Sequence, residues 1–139
     1  MNIHIRDFED NDADKLVDIL RLNNQYSHPE VEGPDSMRRV AGCQAAVFLV
    51  ALADNKVCGF IKAIYDGSRA LIHLLSIHPD YQGLGIGSML FEEVAKELKK
   101  LGAATLSVTV SEESSGFWAR RGFEKIPVFL MLKDLNKNN

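Results

Sequence analysis

A chain of 139 residues, 46% hydrophobic and 25% charged, has the length and composition of one soluble globular domain spanning residues 1–139 with a sizeable core. Its formal net charge of -3 offers no polyanion-binding surface, which argues against nucleic acid as a partner and leaves a cationic or amine substrate open. No apolar run approaches a membrane span, and Met1-Asn2-Ile3-His4-Ile5-Arg6 lacks a signal-peptide pattern, so a cytoplasmic protein without membrane contact is expected.

Residues 2–8 alternate, Ile3 and Ile5 against His4 and Arg6, and read as a first strand. Acids between Asp10 and Asp14 suit a helix start, and Ala13, Leu16, Val17 and Leu20 mark the apolar face of the helix that follows. Residues 25–34 have no periodicity, two prolines and a glycine, and read as a loop. Pro34 suits the first turn of a second helix over residues 35–44. Strands are expected at 47–53 and 57–65, joined by Asp54-Asn55-Lys56, and Asp66-Gly67 signals a hairpin into the next strand. Cys43 and Cys58 lack metal spacing and have apolar neighbours, so both are expected to be buried free thiols; no metal is expected.

Residues 70–77 form a nearly continuous apolar run, the pattern of a strand covered on both faces. Pro79 stops it, and Gln82-Gly83-Leu84-Gly85-Ile86-Gly87-Ser88 follows with glycine at alternate positions. Ile86, Leu90, Val94, Leu98 and Leu101 then recur at helical spacing, with Gly102 as C-terminal cap. A glycine loop between strand and helix leaves backbone N–H groups without intrahelical partners, a ready site for phosphate. An ATP-type loop would need a lysine, but the turn ends Gly87-Ser88-Met89. A dinucleotide fingerprint would place Ser88 where Gly or Ala is wanted, and the expected next strand, 105–110, carries no carboxylate. Beyond it come a short helix at 117–121, stopped by Gly122, and two final strands at 123–125 and 128–133 split by Pro127.

Gln82-x-x-Gly85-x-Gly87, following Ile77-His78-Pro79-Asp80-Tyr81, resembles motif A of the GNAT superfamily of acyl-CoA-dependent N-acyltransferases. Phe117-Trp118-Ala119-Arg120-Arg121-Gly122-Phe123 resembles motif B of the same family, and the element order βααβββαβαββ is that of the GNAT fold. The resemblance implies an α/β (or α+β) domain built on one mixed central sheet. It also implies acetyl-CoA as co-substrate, an amine as acceptor, and leaves a homodimer open.

By resemblance, the backbone of Leu75, Ser76 and Ile77 pairs with the pantetheine arm, and an amide there polarises the thioester carbonyl. Gln82, Gly83, Leu84, Gly85, Ile86, Gly87 and Ser88 would hold the pyrophosphate, with Gly85 and Gly87 required by close approach or by the turn's backbone angles. His73 is the candidate general base. Strand alternation places it on one face with Leu71 and Leu75, and it aligns with a histidine preceding motif A in the arylalkylamine N-acetyltransferase branch. The other reading of His73 is a histidine hydrogen-bonded within the core. Trp118 stands where the family's tyrosine usually faces the departing thiolate, and indole cannot deliver a proton at useful pH. Two functions follow: an N-acetyltransferase acting on a small molecule or protein, or an acyl-CoA-binding module without turnover. Acceptor contacts are expected from residues 25–34 and from Tyr65-Asp66.

Overall fold

Five strands form one mixed sheet in the order β1-β2-β3-β4-β5 in the computed structural model, which describes residues 1–137. The strands are β1 (Ile3–Asp7), β2 (Ala46–Ala53), β3 (Lys56–Tyr65), β4 (Ala70–Ile77) and β5 (Leu106–Val108). The first four are joined antiparallel, whereas β4 and β5 run parallel and are connected through helix α4 (Ile86–Leu101). Helices α1 (Ala13–Leu22), α2 (Pro29–Glu32) and α3 (Pro34–Ala41) lie between β1 and β2, and α5 (Ser115–Ala119) follows β5. This is the single mixed α/β sheet expected from the sequence. The chain divides into two compact units, Met1–Val108 and Thr109–Asn139.

Alternation in the strands explains how both faces of the sheet are covered. Phe48, Val50 and Phe60 join Leu16, Leu20 and Met37 from α1 and α3 in one buried cluster, with the Phe8 and Phe48 rings stacked at 4.4 Å. Helix α4 buries Ile86, Leu90, Val94 and Leu98 and packs against β2, β3 and β4. Two-sided burial accounts for the continuous apolar runs of β2 and β4, which a one-sided sheet would interrupt with polar residues. The β2–β3 hairpin turns through Asp54 and Asn55, both at positive φ (48° and 70°), the geometry of a tight two-residue turn.

Several expectations are corrected. The final strands at 123–125 and 128–133 do not form. Pro127 removes a ladder donor, no neighbour supplies a partner strand among the described residues, and Phe129 and Met131 stand 93% and 89% exposed. Residues 25–34 contain the short helix α2 rather than loop alone. Cys43 is exposed, because α3 ends at Ala41 and the thiol lies beyond its buried face. Cys58 is buried as expected, and burial pushes its thiol up to about 11.

One buried ion pair fastens β1 to the start of α1. Arg6 donates two hydrogen bonds to the Asp12 carboxylate (2.7 and 3.0 Å), which also accepts the Glu9 N–H at 2.8 Å. Burial alone would raise the Asp12 pKa, but the Arg6 and Glu9 hydrogen bonds outweigh it and hold the carboxyl below its ordinary value. Asp12→Asn leaves Arg6 only the more exposed Glu9 carboxylate at 3.7 Å as counter-charge and should cost about 2–3 kcal/mol at neutral pH, read from denaturant or thermal unfolding. Because the folded pKa is depressed, the wild-type advantage is complete above the unfolded carboxyl value of about 3.9. It disappears as pH falls through the folded value, so the two proteins should converge in strong acid.

Candidate active site

Strand β4 is one residue longer than its partner can match. Lys62 of β3 pairs with Leu74 and Ala63 pairs with Ile72, so His73 is left as the extra residue of a β-bulge. The bulge reverses the alternation beyond it, so Leu71 and Leu75 do not share the face that regular spacing predicted for them and His73. On its other edge β4 pairs with β5 only through Ala70, Leu71 and Ile72. From residue 74 to 77 that edge has no strand partner among the described residues.

The orientation of this edge follows from one hydrogen bond. His78 N–H donates to Cys58 C=O at 2.8 Å, so His78 and, two residues earlier, Ser76 direct their backbone groups toward β3. Leu75 and Ile77 therefore direct theirs to the open edge. Side-chain amides meet their carbonyls there. Ile77 C=O accepts from Asn23 Nδ2 (2.8 Å) and Gln82 Nε2 (2.9 Å), and Leu75 C=O accepts from Gln25 Nε2 at 3.5 Å. Ser76 Oγ accepts from Asn23 Nδ2 at 2.8 Å and donates to Gln25 Oε1 at 2.6 Å. Gln82 also donates to Asn23 Oδ1 at 3.2 Å. The C-terminal end of α1, the tip of β4 and the glycine turn are thus one polar network. Gly59 of β3 makes room for it: a Cβ there would lie 2.6 Å from Ile77 Cδ1.

The glycine turn follows directly. Gly83 and Gly85 have φ of +78° and +84°, and a Cβ added at either meets nothing within 4 Å. Their requirement is conformational, and the space above them is open. Gly87, expected to serve either close phosphate approach or the turn's backbone angles, lies inside the first turn of α4, which leaves close approach as its role. Gly85 is the N-cap, its C=O accepts Met89 N–H at 3.1 Å, and the first turn of α4 carries no acidic residue. The helix end thus combines outward amides, positive dipole and no competing carboxylate, which suits an anion. His78 Nδ1 accepts Asp80 N–H at 3.0 Å, giving this histidine a turn-forming role.

At the bulge, the His73 ring lines a cavity of about 240 Å³ between α3 and the sheet, together with Arg39, Val40 and Ala63. Partial burial of the ring and then the positive charge of Lys62 hold the imidazole below the ordinary histidine value, which favours its neutral form. Lys62 is itself 5% exposed, with its Nζ 5.9 Å from the centre of the Phe48 ring. Burial lowers its pKa, and Glu32 opposes this only in part. Sequence reading missed Asn23, Gln25 and Lys62. Lys62 had a visible signal, a charge inside the apolar run of β3.

Trp118 belongs to the second unit. It is buried there beside Phe117 and Phe123, with ring centres at 4.9 and 5.5 Å, and Arg121 covers the Phe117 ring at 3.6 Å. Among the described residues no helix is long and apolar enough to cross a membrane, and no group of three metal-binding side chains converges.

A family model described as an acetyltransferase (GNAT) domain matches residues 17–128. Among solved structures, a PaiA N-acetyltransferase from Thermoplasma acidophilum in complex with coenzyme A is similar at a TM-score of 0.84 and 23% identity, over 93% of this chain and 94% of that one. A glucosamine-6-phosphate N-acetyltransferase from Arabidopsis thaliana is similar at a TM-score of 0.73 and 15% identity, over 97% and 99%. An aminoglycoside acetyltransferase from an uncultured soil metagenomic sample, in complex with sisomicin, is similar at 0.71 and 20%, over 94% and 95%.

The electrostatics of the bulge can be checked directly. Lys62→Met removes one of the two causes that depress His73, so the His73 pKa should rise in an NMR titration. The same change should be neutral to stabilising at pH 7. The lysine's folded pKa is depressed, so its penalty is complete below that value and vanishes as pH rises through the unfolded value of about 10.4.

Proposed function

The chain belongs to the GNAT acetyltransferase family, and from that premise we propose that it transfers acetyl from acetyl-CoA directly to a primary amine of a small molecule or protein. The observation that carries this reading is the junction of an open β4 edge with an anion-suited helix start, held in one hydrogen-bonded network. A neighbour in complex with coenzyme A supports acyl-CoA use. Neighbours named for an aminoglycoside and an amino-sugar phosphate support an amine acceptor.

Acetyl-CoA, when bound, supplies an acetyl group activated as a thioester. The amides of the glycine turn and of the first turn of α4 would hold its pyrophosphate, and the open edge at Leu75 and Ile77 would hold its pantetheine arm. An N–H on that edge is the donor for charge developing on the thioester oxygen, using a backbone dipole that needs no reorganisation. His73 serves as base: its neutral imidazole takes a proton from the acceptor ammonium, directly or through water. The freed nitrogen forms a bond to the acetyl carbon as the carbon–sulfur bond breaks, and the proton that the acylated nitrogen then sheds neutralises the thiolate. Trp118, which stands where the family's phenol would serve the thiolate, cannot deliver that proton, so a thiol's own leaving ability carries the step. The second reading, acyl-CoA binding without turnover, is favoured by Trp118 standing in place of a phenol.

Mass-spectrometric detection of acetylated product across an amine panel separates the two readings. Gly85→Val should weaken acetyl-CoA binding by calorimetry more than tenfold in a folded protein, because the N-cap φ of +84° excludes a β-branched side chain. Unchanged affinity would remove the phosphate-loop assignment. His73→Gln should lower kcat by roughly 10²-fold while acetyl-CoA affinity changes little. In the wild type the acidic limb of kcat/KM should fall below the ordinary histidine value of about 6.5, since the ring's pKa is lowered, and the variant should lack it. Trp118→Phe should keep most turnover; a loss of several orders of magnitude with acetyl-CoA affinity intact would give the indole an essential hydrogen bond.

A further inference from the structure

The cavity beside His73 has a charge pattern that bears on the acceptor. Its walls include the apolar side chains Val40 and Ala63, with Ser36, Arg39 and Cys43 from α3 and its end. No carboxylate lines it. Arg38 turns to Asp35 at 3.4 Å, whereas its neighbour Arg39 forms no ion pair among the described residues. A second cation, Lys62, lies close enough to His73 to disfavour its protonation. The acid that partly offsets the burial of Lys62, Glu32, is already engaged, its Oε2 accepting N–H groups of Ser27 (2.8 Å) and His28 (3.2 Å).

Resting on the acetyltransferase reading, we infer that this cavity is the acceptor site and that it takes a small primary amine carrying an anionic group, a carboxylate or phosphate, with Arg39 as the anion's partner. Three features support that class over a polycation. A polyamine or aminoglycoside needs carboxylates to replace the water it loses, and the cavity has none. Arg39 presents a planar fork matched to a carboxylate or phosphate, with no internal partner to displace. At about 240 Å³ the cavity lies below the roughly 300–1,000 Å³ usual for drug-sized ligands, which favours a short amine whose body meets Val40 and Ala63. His73 lines the same space, so an amine whose anion is held by Arg39 has its ammonium within the base's cavity. The positive field there also opposes the ammonium form, which favours loss of the proton that transfer requires.

Matched triples of three to six carbons test this: an ω-amino carboxylate, the alkylamine of the same length, and the corresponding diamine, with ω-amino phosphates as a second anionic series. Acetylated product is measured by mass spectrometry with acetyl-CoA. The anionic member should give the highest kcat/KM and the diamine the lowest. In Arg39→Gln the ratio of carboxylate to alkylamine should fall about tenfold, mainly through KM, and Arg39→Lys should retain part of it. A preferred diamine, or an unchanged ratio in Arg39→Gln, overturns the inference. The same compounds are titrated calorimetrically into protein with coenzyme A present. Selective binding of the anionic member that is lost in Arg39→Gln, without turnover of any amine, supports the cavity's chemistry while overturning the transferase reading. Equal binding of all members overturns the inference whether or not the protein turns over. Thermal melts of each variant establish that α3 is intact, as expected for a side chain that is exposed.

Discussion

The open edge and polar network of the candidate site depend on β4 running out of partners. A strand interior to a sheet satisfies its backbone on both edges, and β4 does so only as far as Ile72. At the next residue the chain inserts the bulge, and β5 ends at Val108. A bulge adds local twist and bends its strand, so the loss of pairing and the extra residue are two aspects of one departure. The consequence is an edge in the middle of an otherwise well-paired sheet, aimed at the glycine turn. Edges of this kind recruit another extended chain or must be blunted. Here the amide side chains of Asn23, Gln25 and Gln82 take the carbonyls of Leu75 and Ile77, so these acceptors are satisfied without a strand.

That arrangement couples two segments far apart in sequence. Asn23 and Gln25 close the end of α1, where Asn24 takes a positive φ of 56°, and they also define where the chain enters α2. Ser76 receives from one and donates to the other, which fixes both amide orientations: Asn23 must present its nitrogen and Gln25 its oxygen. A network in which each member's role is forced by its neighbours has few alternative arrangements, and low dielectric makes leaving any one group unpaired expensive. The strand tip is therefore rigid where a backbone amide has to be aimed, while the glycine turn beside it draws its shape from Gly83 and Gly85.

What could be read from the sequence was what is local. The glycine turn, the amphipathic period of α4, its Gly102 cap and the Asp54-Asn55 turn depend on a few adjacent residues, and all appear in place. The bulge was invisible, since residues 70–77 are apolar on both sides of His73 and an extra residue leaves no trace in such a run. The Asn23–Ser76 contact spans 53 positions and has no periodic signature. Val128 to Leu132 carries strong strand propensity, yet propensity without a neighbouring ladder produced no strand, and Pro127 weakened the case further. Cys43 shows the same limit in miniature: apolar neighbours in sequence did not place it on the buried face of α3.

Lys62 is the position where local rules and the fold conflict most openly. A lysine opposite Leu74 and beside Phe48 costs desolvation that a leucine would not, and Glu32 compensates only from a distance. Such conflicts concentrate where a field is needed. Its charge acts on His73, one residue from Leu74, and adds to the larger effect of burial in lowering that ring's pKa. In the proposed mechanism a base must be unprotonated when the acceptor arrives, and the cation below the bulge favours that form of the imidazole on it. The same field would hinder an acceptor that brought only positive charge, and Arg39 lines the same cavity. In the proposed mechanism base and specificity thereby share one contributor: the positive charge of Lys62, which adds to burial in lowering the His73 pKa, also favours an amine that carries its own negative charge.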